Sequence, residues 1–395
     1  MALACWSWCR FVTKVSKHIV PAPFKKILVL SVSAGAGHVR AAEALVEQFS
    51  AQRLATEIVH LDILKYTSKA MRTLYSKAYF DVAKAAPELL GWIYDYLDKP
   101  WKNENRIRAL ERVNISLLVK VLENIQPDVV VSTHFLPADI ITYLRRKKKY
   151  SCKQAVVLTD YDAHALWLNR DVDLYCAACE EERAYLLALG MPSERVVTTG
   201  IPIHPVFSES KDSRAMRMKH GLAIDQPVVL VSAGGFGVTN IEHIVEALTH
   251  VKQRITIVAL CGSNTRAADV LKEKYSSMEH HSVHVVGYTT EMDEYMSAAD
   301  IMIGKPGGLT SSEVLAKQLP LIIVNPLPGQ EERNADYLLE QGAAWKCNNI
   351  PTLPYKVELL LSSESSRTAM KNAAASIARP RAAGSVADAV QKMFG

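Results

Sequence analysis

Residues able to do chemistry gather at the ends of short apolar runs, most densely between Ile301 and Asn334. There an apolar run closes on Lys305-Pro306-Gly307-Gly308, and Thr310, Ser311 and Ser312 open the next helix as good capping residues. Glycines let a backbone approach closely, and the free N–H groups of a helix start favour an anion such as a diphosphate. Glu313 falls about one turn into that helix, where a carboxylate can accept hydrogen bonds from two adjacent ribose hydroxyls. Gln330, Glu331 and Asn334 follow the next apolar run, Pro320–Val324, where they can read the hydroxyls of a sugar. The glycines alone fit an ordinary capped βα unit equally well. Joined to Glu313 and the Gln330-Glu331 loop, they favour a nucleotide sugar.

A second set lies near the start of the chain. Ile27–Val32 reads as a buried strand, followed by Ser33-Ala34-Gly35-Ala36-Gly37-His38 and a helix over Val39–Phe49. The loop is not a Walker A, which needs Lys after it, nor a dinucleotide fingerprint, because position 40 is Arg. What remains is a tight loop around Gly35 and Gly37 that presents His38, whose neutral imidazole can take a proton from a hydroxyl. The alternative is a histidine that only caps its helix. Two further strands, Val129–Ser132 and Gln154–Leu158, end at Thr133-His134 and at Thr159-Asp160-Tyr161-Asp162-Ala163-His164. His38, His134 and His164 thus close three strands whose carboxyl ends face one crevice, where they can converge. Asp160-x-Asp162 has the form of a metal-holding DxD, but Asp171-x-Asp173 repeats it nearby and no metal site is expected.

The elements that position these residues read as the same α/β architecture built twice. At 395 residues the chain suits two domains, and 49% hydrophobic against 22% charged residues is globular rather than disordered. Residues 24–207 form the first domain and 208–375 the second, with a polar boundary at Ser208–Ser213. In the second, glycine loops Gly234-Gly235-Phe236-Gly237, Gly262 to Asn264 and Gly287-Tyr288 each end a strand. A C-terminal helix within 376–395 is expected to cross back onto the first domain. The net charge of +5 is mildly basic and fits an anionic partner, a membrane surface as well as nucleic acid. Seven cysteines without regular spacing point to a reducing cytosol, and Cys176-x-x-Cys179 reads as two small buried thiols.

Two segments depart from the α/β pattern. Residues 62–120 form a mostly helical insertion in which Tyr66, Tyr75, Tyr79, Phe80, Trp92, Tyr94, Tyr96 and Trp101 mix with lysines and Arg72. That mixture suits a lipid–water interface, single-stranded nucleic acid or an ordinary helical subdomain. In residues 1–23, Trp8, Phe11, Val15 and Ile19 recur at helical spacing among cations, as an interfacial helix or a tail would.

Taken together, the motifs resemble the diacylglycerol glycosyltransferases, the family of monogalactosyldiacylglycerol synthases and processive diacylglycerol glucosyltransferases. The resemblance covers roughly residues 24–375. It rests on Ser33–His38, Thr159-Asp160 with His164 and Trp167, Gly200-Ile-Pro-Ile-His-Pro205, Cys261-Gly262-x-Asn264, Gly304–Gly308, Glu313 and Pro328–Glu331 with Asn334. It implies an α/β GT-B fold, two Rossmann-like doubly wound domains facing a cleft, and an inverting hexosyl transfer from UDP-glucose or UDP-galactose to diacylglycerol. The family is related to the peptidoglycan lipid-intermediate N-acetylglucosaminyltransferase.

The resemblance also implies roles. His38 is the base, Glu313 holds ribose, and Gln330 and Glu331 contact the hexose. Lys305–Gly308 and Gly234–Gly237 lie by the diphosphate and uridine. The 62–120 insertion collects diacylglycerol at a membrane surface with anionic lipids, on its cytoplasmic face. UDP-hexose is a co-substrate, with no separate cofactor and no nucleic acid expected. Ala36 and His204 depart from the commonest family pattern, His204 standing where Arg is frequent. A soluble GT-B transferase, a nucleotide-sugar epimerase and a non-catalytic UDP-sugar sensor are the alternatives.

Overall fold

The structure, a computed structural model, describes residues 22–33, 35–67, 72–73, 86–102, 116–148, 150–232, 234, 240–276 and 278–393. The expected N-terminal helix lies outside these residues, as do 68–71, 74–85 and 103–115 of the insertion.

The first half runs β1 (Phe24–Ser31), α1 (Ala36–Ala51), β2 (Ala55–Asp62), α2 (Pro87–Leu97), α3 (Ser116–Ile125), β3 (Val129–Ser132), α4 (Phe135–Arg146), β4 (Lys153–Val157), β5 (Leu174–Ala177), α5 (Glu180–Ala188) and β6 (Val196–Thr198). The second runs α6 (Ser213–Lys219), β7 (Val228–Ser232), α7 (Ile241–Leu248), β8 (Thr256–Leu260), α8 (Thr265–Tyr275), β9 (Ser282–Val286), α9 (Met292–Ala298), β10 (Ile301–Gly304), α10 (Gly308–Ala316), β11 (Leu321–Val324), α11 (Gln330–Glu340) and β12 (Ala344–Cys347). Helices α12 (Leu353–Ser362), α13 (Glu364–Ile377) and α14 (Ala382–Lys392) end the chain.

Each half is a six-stranded parallel sheet, ordered β2-β1-β3-β4-β5-β6 and β12-β11-β10-β7-β8-β9. The strands read as unbroken apolar runs because helices cover both faces. In β1, Ile27 and Val29 join one core with α1 and α14, while Leu28 and Leu30 join another with α3 and α4. In β7, Val229 and Val231 go to one side and Val228 and Leu230 to the other.

Strand order fixes where a ligand can bind. In the first sheet the winding reverses between β1 and β3, and in the second between β7 and β10. At such a switch point adjacent loops part and leave a crevice at the carboxyl edge. The loops at the two switch points carry His38 and His134 on one side, and Gly234 and Lys305–Gly308 on the other.

The last helix begins at Ala382 and inserts Ala383, Val386, Ala387 and Val390 into the first-domain core beside α1. The chain therefore passes between the domains twice, and the two passages touch. Gly200, at φ 88°, would meet Arg379 Cβ at 2.4 Å if it carried a Cβ, and Ser208 Oγ donates to the Pro380 carbonyl at 2.7 Å.

Candidate active site

Helix α1 starts at Ala36 with Gly35 (φ 111°) as its N-cap, so His38 is inside the first turn and caps nothing. Its Nδ1 lies 2.9 Å from the Thr133 carbonyl oxygen and 2.9 Å from Thr159 Oγ1. A carbonyl can only accept, so Nδ1 carries the proton and Nε2 keeps the lone pair of a base. Thr133 Oγ1 donates back to the His38 carbonyl at 2.8 Å, tying the end of β3 to α1. Burial pushes the imidazole pKa down to about 4, only partly offset by the Thr133 bond, so the ring is neutral at pH 7.

The other two strand-end histidines use the same nitrogen in the opposite role, as an acceptor. His134 Nδ1 accepts from the Leu136 N–H at 3.0 Å and caps α4, with its ring edge-on to His38 at 4.6 Å between centroids. His164 Nδ1 accepts from the Leu166 N–H at 3.0 Å, and its Nε2–H donates to the Tyr94 carbonyl at 2.9 Å. His38 and His134 thus meet, with Trp167 6.4 and 6.1 Å away, while His164 packs on Tyr94.

Across the cleft, α10 begins two residues before the serine and threonine cluster, and its N-cap is Gly307. Thr310 is therefore inside the first turn rather than at the cap. A Cβ on Gly307 would meet nothing within 4 Å, whereas one on Gly308 would lie 1.9 Å from the Thr159 carbonyl oxygen. Gly308 is required by the opposing domain's backbone, and through the same residue that bonds His38.

Glu313 is 1% exposed, and its Oε1 is gripped by the Arg40 guanidinium from α1 of the other domain. Its Oε2 is buried without a hydrogen-bond partner. Desolvation raises the Glu313 pKa to about 7; Arg40 draws it down and Asp293 adds to the rise.

The remaining candidates line the same edge. Lys305 Nζ lies 3.9 Å from Glu331 Oε2, which also accepts from the Leu327 N–H at 2.6 Å. Burial raises the Glu331 pKa against the pull of Lys305. Gln330 opens α11 and is half-buried. Asn334 is fully buried: its Oδ1 accepts from the Tyr161 N–H at 2.7 Å and its Nδ2 donates to Asp160 at 3.0 Å. Burial lifts the Asp160 pKa to about 6.

Asp162 accepts from Arg333 at 2.6 Å, and Asp98 lies 2.8 Å from the same guanidinium. Tyr161 hydrogen-bonds Ser312 at 2.8 Å and stacks on Tyr337. The Asp160-x-Asp162 pair is thus occupied by side chains of the second domain. Gly37 lies against Leu309. Gly234 and Gly262 take positive φ, Asn264 caps α8, and Gly287 precedes Tyr288, which is 76% exposed. Gly235 and Phe236 lie outside the described residues.

Residues 38–203 match the family described as monogalactosyldiacylglycerol (MGDG) synthase, and residues 228–392 the glycosyltransferase family 28 C-terminal domain. The chain is 31% identical to a processive diacylglycerol beta-glucosyltransferase of Bacillus cytotoxicus, over 92% of this chain and 93% of that one. With the enzyme of the same description from Bacillus subtilis it shares 31% identity, over 88% and 90%. It belongs to the processive diacylglycerol β-glucosyltransferase family.

Solved structures agree on the fold of this family member. MurG of Acinetobacter baumannii superposes with a TM-score of 0.59 at 18% identity, covering 93% of this chain and 99% of that one. MnaA of Staphylococcus aureus with UDP gives 0.60 at 13%, covering 91% and 94%. The UDP-GlcNAc 2-epimerase of Neisseria meningitidis gives 0.59 at 13%, covering 93% and 100%. The GT-B fold is thus the one expected. The epimerase shares it, so fold alone does not select a reaction.

Several residues of the glucosyltransferase-family cleft escape a reading of the sequence. Arg40 registers there only as the residue that spoils a dinucleotide fingerprint; its partner is 273 positions away. Thr133 and Thr159 read as strand ends, and nothing in the sequence singles out Arg333.

Helix α2, the described part of the insertion's middle, divides cleanly. Leu89, Trp92, Ile93, Tyr96 and Leu97 are exposed on one face, with Trp92 at 63%. On the other face, Gly91 sits against Pro328 and Tyr94 against Gly329. Among the described residues no helix is long and apolar enough to cross a membrane.

Proposed function

We propose that this chain transfers a hexose from UDP-hexose to the free hydroxyl of 1,2-diacylglycerol with inversion, forming a β-glycosyldiacylglycerol, and that glucose is the preferred sugar. The observation that carries this reading is the pairing of a base-ready imidazole at one switch point with a buried carboxylate at the facing one. The names borne by relatives at 31% identity favour glucose.

In this reading the diol of the UDP ribose hydrogen-bonds to Glu313. The diphosphate lies by Lys305, the backbone N–H groups of Gly307 and Gly308 at the start of α10, and Gly234. Gln330 and Glu331 take the sugar hydroxyls, and Asn334 holds the Asp160-Tyr161 loop that borders them. The acceptor oxygen attacks C1 as the bond from C1 to the β-phosphate oxygen breaks, and the hydroxyl proton passes to His38 Nε2. A bound diphosphate raises the His38 pKa from its low value, because its negative charge favours imidazolium. Fixed N–H donors meet the charge that develops on the leaving group, and a closed cleft keeps water from the sugar.

The exposed face of α2 docks on the bilayer, with Lys99, whose ammonium lies 4.2 Å from the Tyr96 ring centroid, at the headgroups. The enzyme is then peripheral, on the cytoplasmic face, and anionic lipid strengthens its attachment. The test is to incubate the protein with diacylglycerol liposomes and UDP-glucose or UDP-galactose separately, and to identify the lipids by mass spectrometry and anomeric NMR. A β-glucosyldiacylglycerol is expected. UDP binding with no glycolipid from either donor would refute the reading, and a galactolipid alone would reverse the sugar preference.

A further inference from the structure

We propose that Arg40 is a positioning residue for the donor: reaching from the first domain, it holds Glu313 of the second as an anion with one oxygen left for the ribose. This rests on the assignment of Glu313 to ribose. Two observations beyond that assignment carry it. Arg40 Nη2 engages Glu313 Oε1 directly although the two residues belong to different domains. Glu313 Oε2 is fully buried and has no partner, an acceptor in want of a donor. A buried polar atom left so is costly unless a ligand completes it.

The surroundings of Glu313 make Arg40 decisive. The charged groups acting on the carboxylate are Arg40 from α1 and Asp293 from α9. Asp293 opposes ionisation, and is itself paired with Lys211. Lys317, the C-cap of the helix that carries Glu313, donates instead to the Glu209 carbonyl at 2.8 Å. His204, at the domain passage, is paired with Glu47 at 2.8 Å. Arg40 is thus the cation that keeps Glu313 charged near neutral pH, where its pKa is held to about 7. A cation within hydrogen-bond reach lowers a carboxyl pKa by roughly 1–3 units. Without it the carboxyl is protonated at pH 7, and a neutral carboxyl is the weaker acceptor for a diol. Because the arginine comes from the opposing domain, Glu313 reaches this state only when the cleft is closed.

The test is calorimetric titration of UDP into the full chain and into Arg40→Gln, Arg40→Lys and Glu313→Gln, from pH 6 to 9. The phosphate of UDP titrates in every arm, so the readout is the affinity relative to wild type at each pH. Arg40→Gln should bind about tenfold or more weakly at pH 7, with the deficit shrinking toward pH 9. Arg40→Lys should restore most of the affinity. A deficit independent of pH, or tighter binding by Arg40→Gln, would overturn the proposal; the latter would make Arg40 a competitor of ribose. If Glu313→Gln binds UDP as wild type does, the ribose assignment itself fails. If Glu313→Gln weakens binding while Arg40→Gln shows no pH-dependent deficit, only the inference about Arg40 falls.

Discussion

Gly308→Ala should uncouple the two halves of the cleft without unfolding either. The added Cβ would lie 1.9 Å from the Thr159 carbonyl oxygen, 2.9 Å from its carbonyl carbon and 3.2 Å from Ile201 Cδ1. Two of those three atoms are backbone, so no side-chain rotation relieves the clash. Because the Cβ and the oxygen cannot approach within about 3 Å, the domains must separate locally by roughly 1 Å. Thr159 is also a hydrogen-bond partner of His38, so the shift falls between the proposed base and the proposed donor loop. A misplacement of that size costs on the order of 100-fold in rate. The assay is glycolipid formation with saturating UDP-hexose, beside UDP titration and thermal melting. The expected result is a fall of about two orders of magnitude in kcat with a melting temperature within a few degrees of wild type. Wild-type turnover by Gly308→Ala would show that the contact between Thr159 and α10 is not part of the reacting state.

His38→Ala should lower transfer by about 10²–10⁴-fold while UDP affinity stays close to wild type, and a parallel loss of both would assign His38 to the fold instead. For the free enzyme, kcat/KM for the donor should rise as Glu313 ionises near pH 7, and the loss due to His38 protonation should come only near pH 4. Glu313→Gln should erase the upper limb and leave the lower; survival of the upper limb would assign it to another group. Replacing Leu89 and Trp92 together by glutamate should abolish sedimentation with diacylglycerol liposomes, because both are exposed and no core packing is lost. Undiminished liposome binding would move the membrane contact elsewhere.

The fold was legible because its signal is local. Unbroken apolar runs such as Ile27–Leu30 and Val228–Val231, each ending in a glycine loop, can be seen one strand at a time. Glu313 and Gln330 stand out as candidates for the same reason, as each follows its own strand. The sequence misplaces the start of α10 because Thr310, Ser311 and Ser312 are good caps, while Gly307 caps with no side chain at all. Spacing does not sort the three histidines. His38, His134 and His164 look alike at strand ends, and only the backbone group on each Nδ1 separates the proposed base from two caps. Arg40, Arg333 and Tyr161 act across the cleft, and such pairings leave no trace in local spacing. The aromatics of the insertion read as one mixed set. In α2, Trp92 and Tyr96 face outward while Tyr94 turns to the loop at Gly329.

The twin passages between the domains constrain how the enzyme can move. A single linker would let one half swivel in any direction against the other. Here Gly200 and Arg379 lie in contact, and Ser208 is bonded to Pro380, so the two strands of chain act as a pair of adjoining pins. Such a mounting permits one rotation and resists twisting. Each swing should therefore return Arg40 to Glu313 and Thr159 to Gly308 in the same registration. A cut ahead of α14 would remove one pin and strip the first sheet of part of its cover.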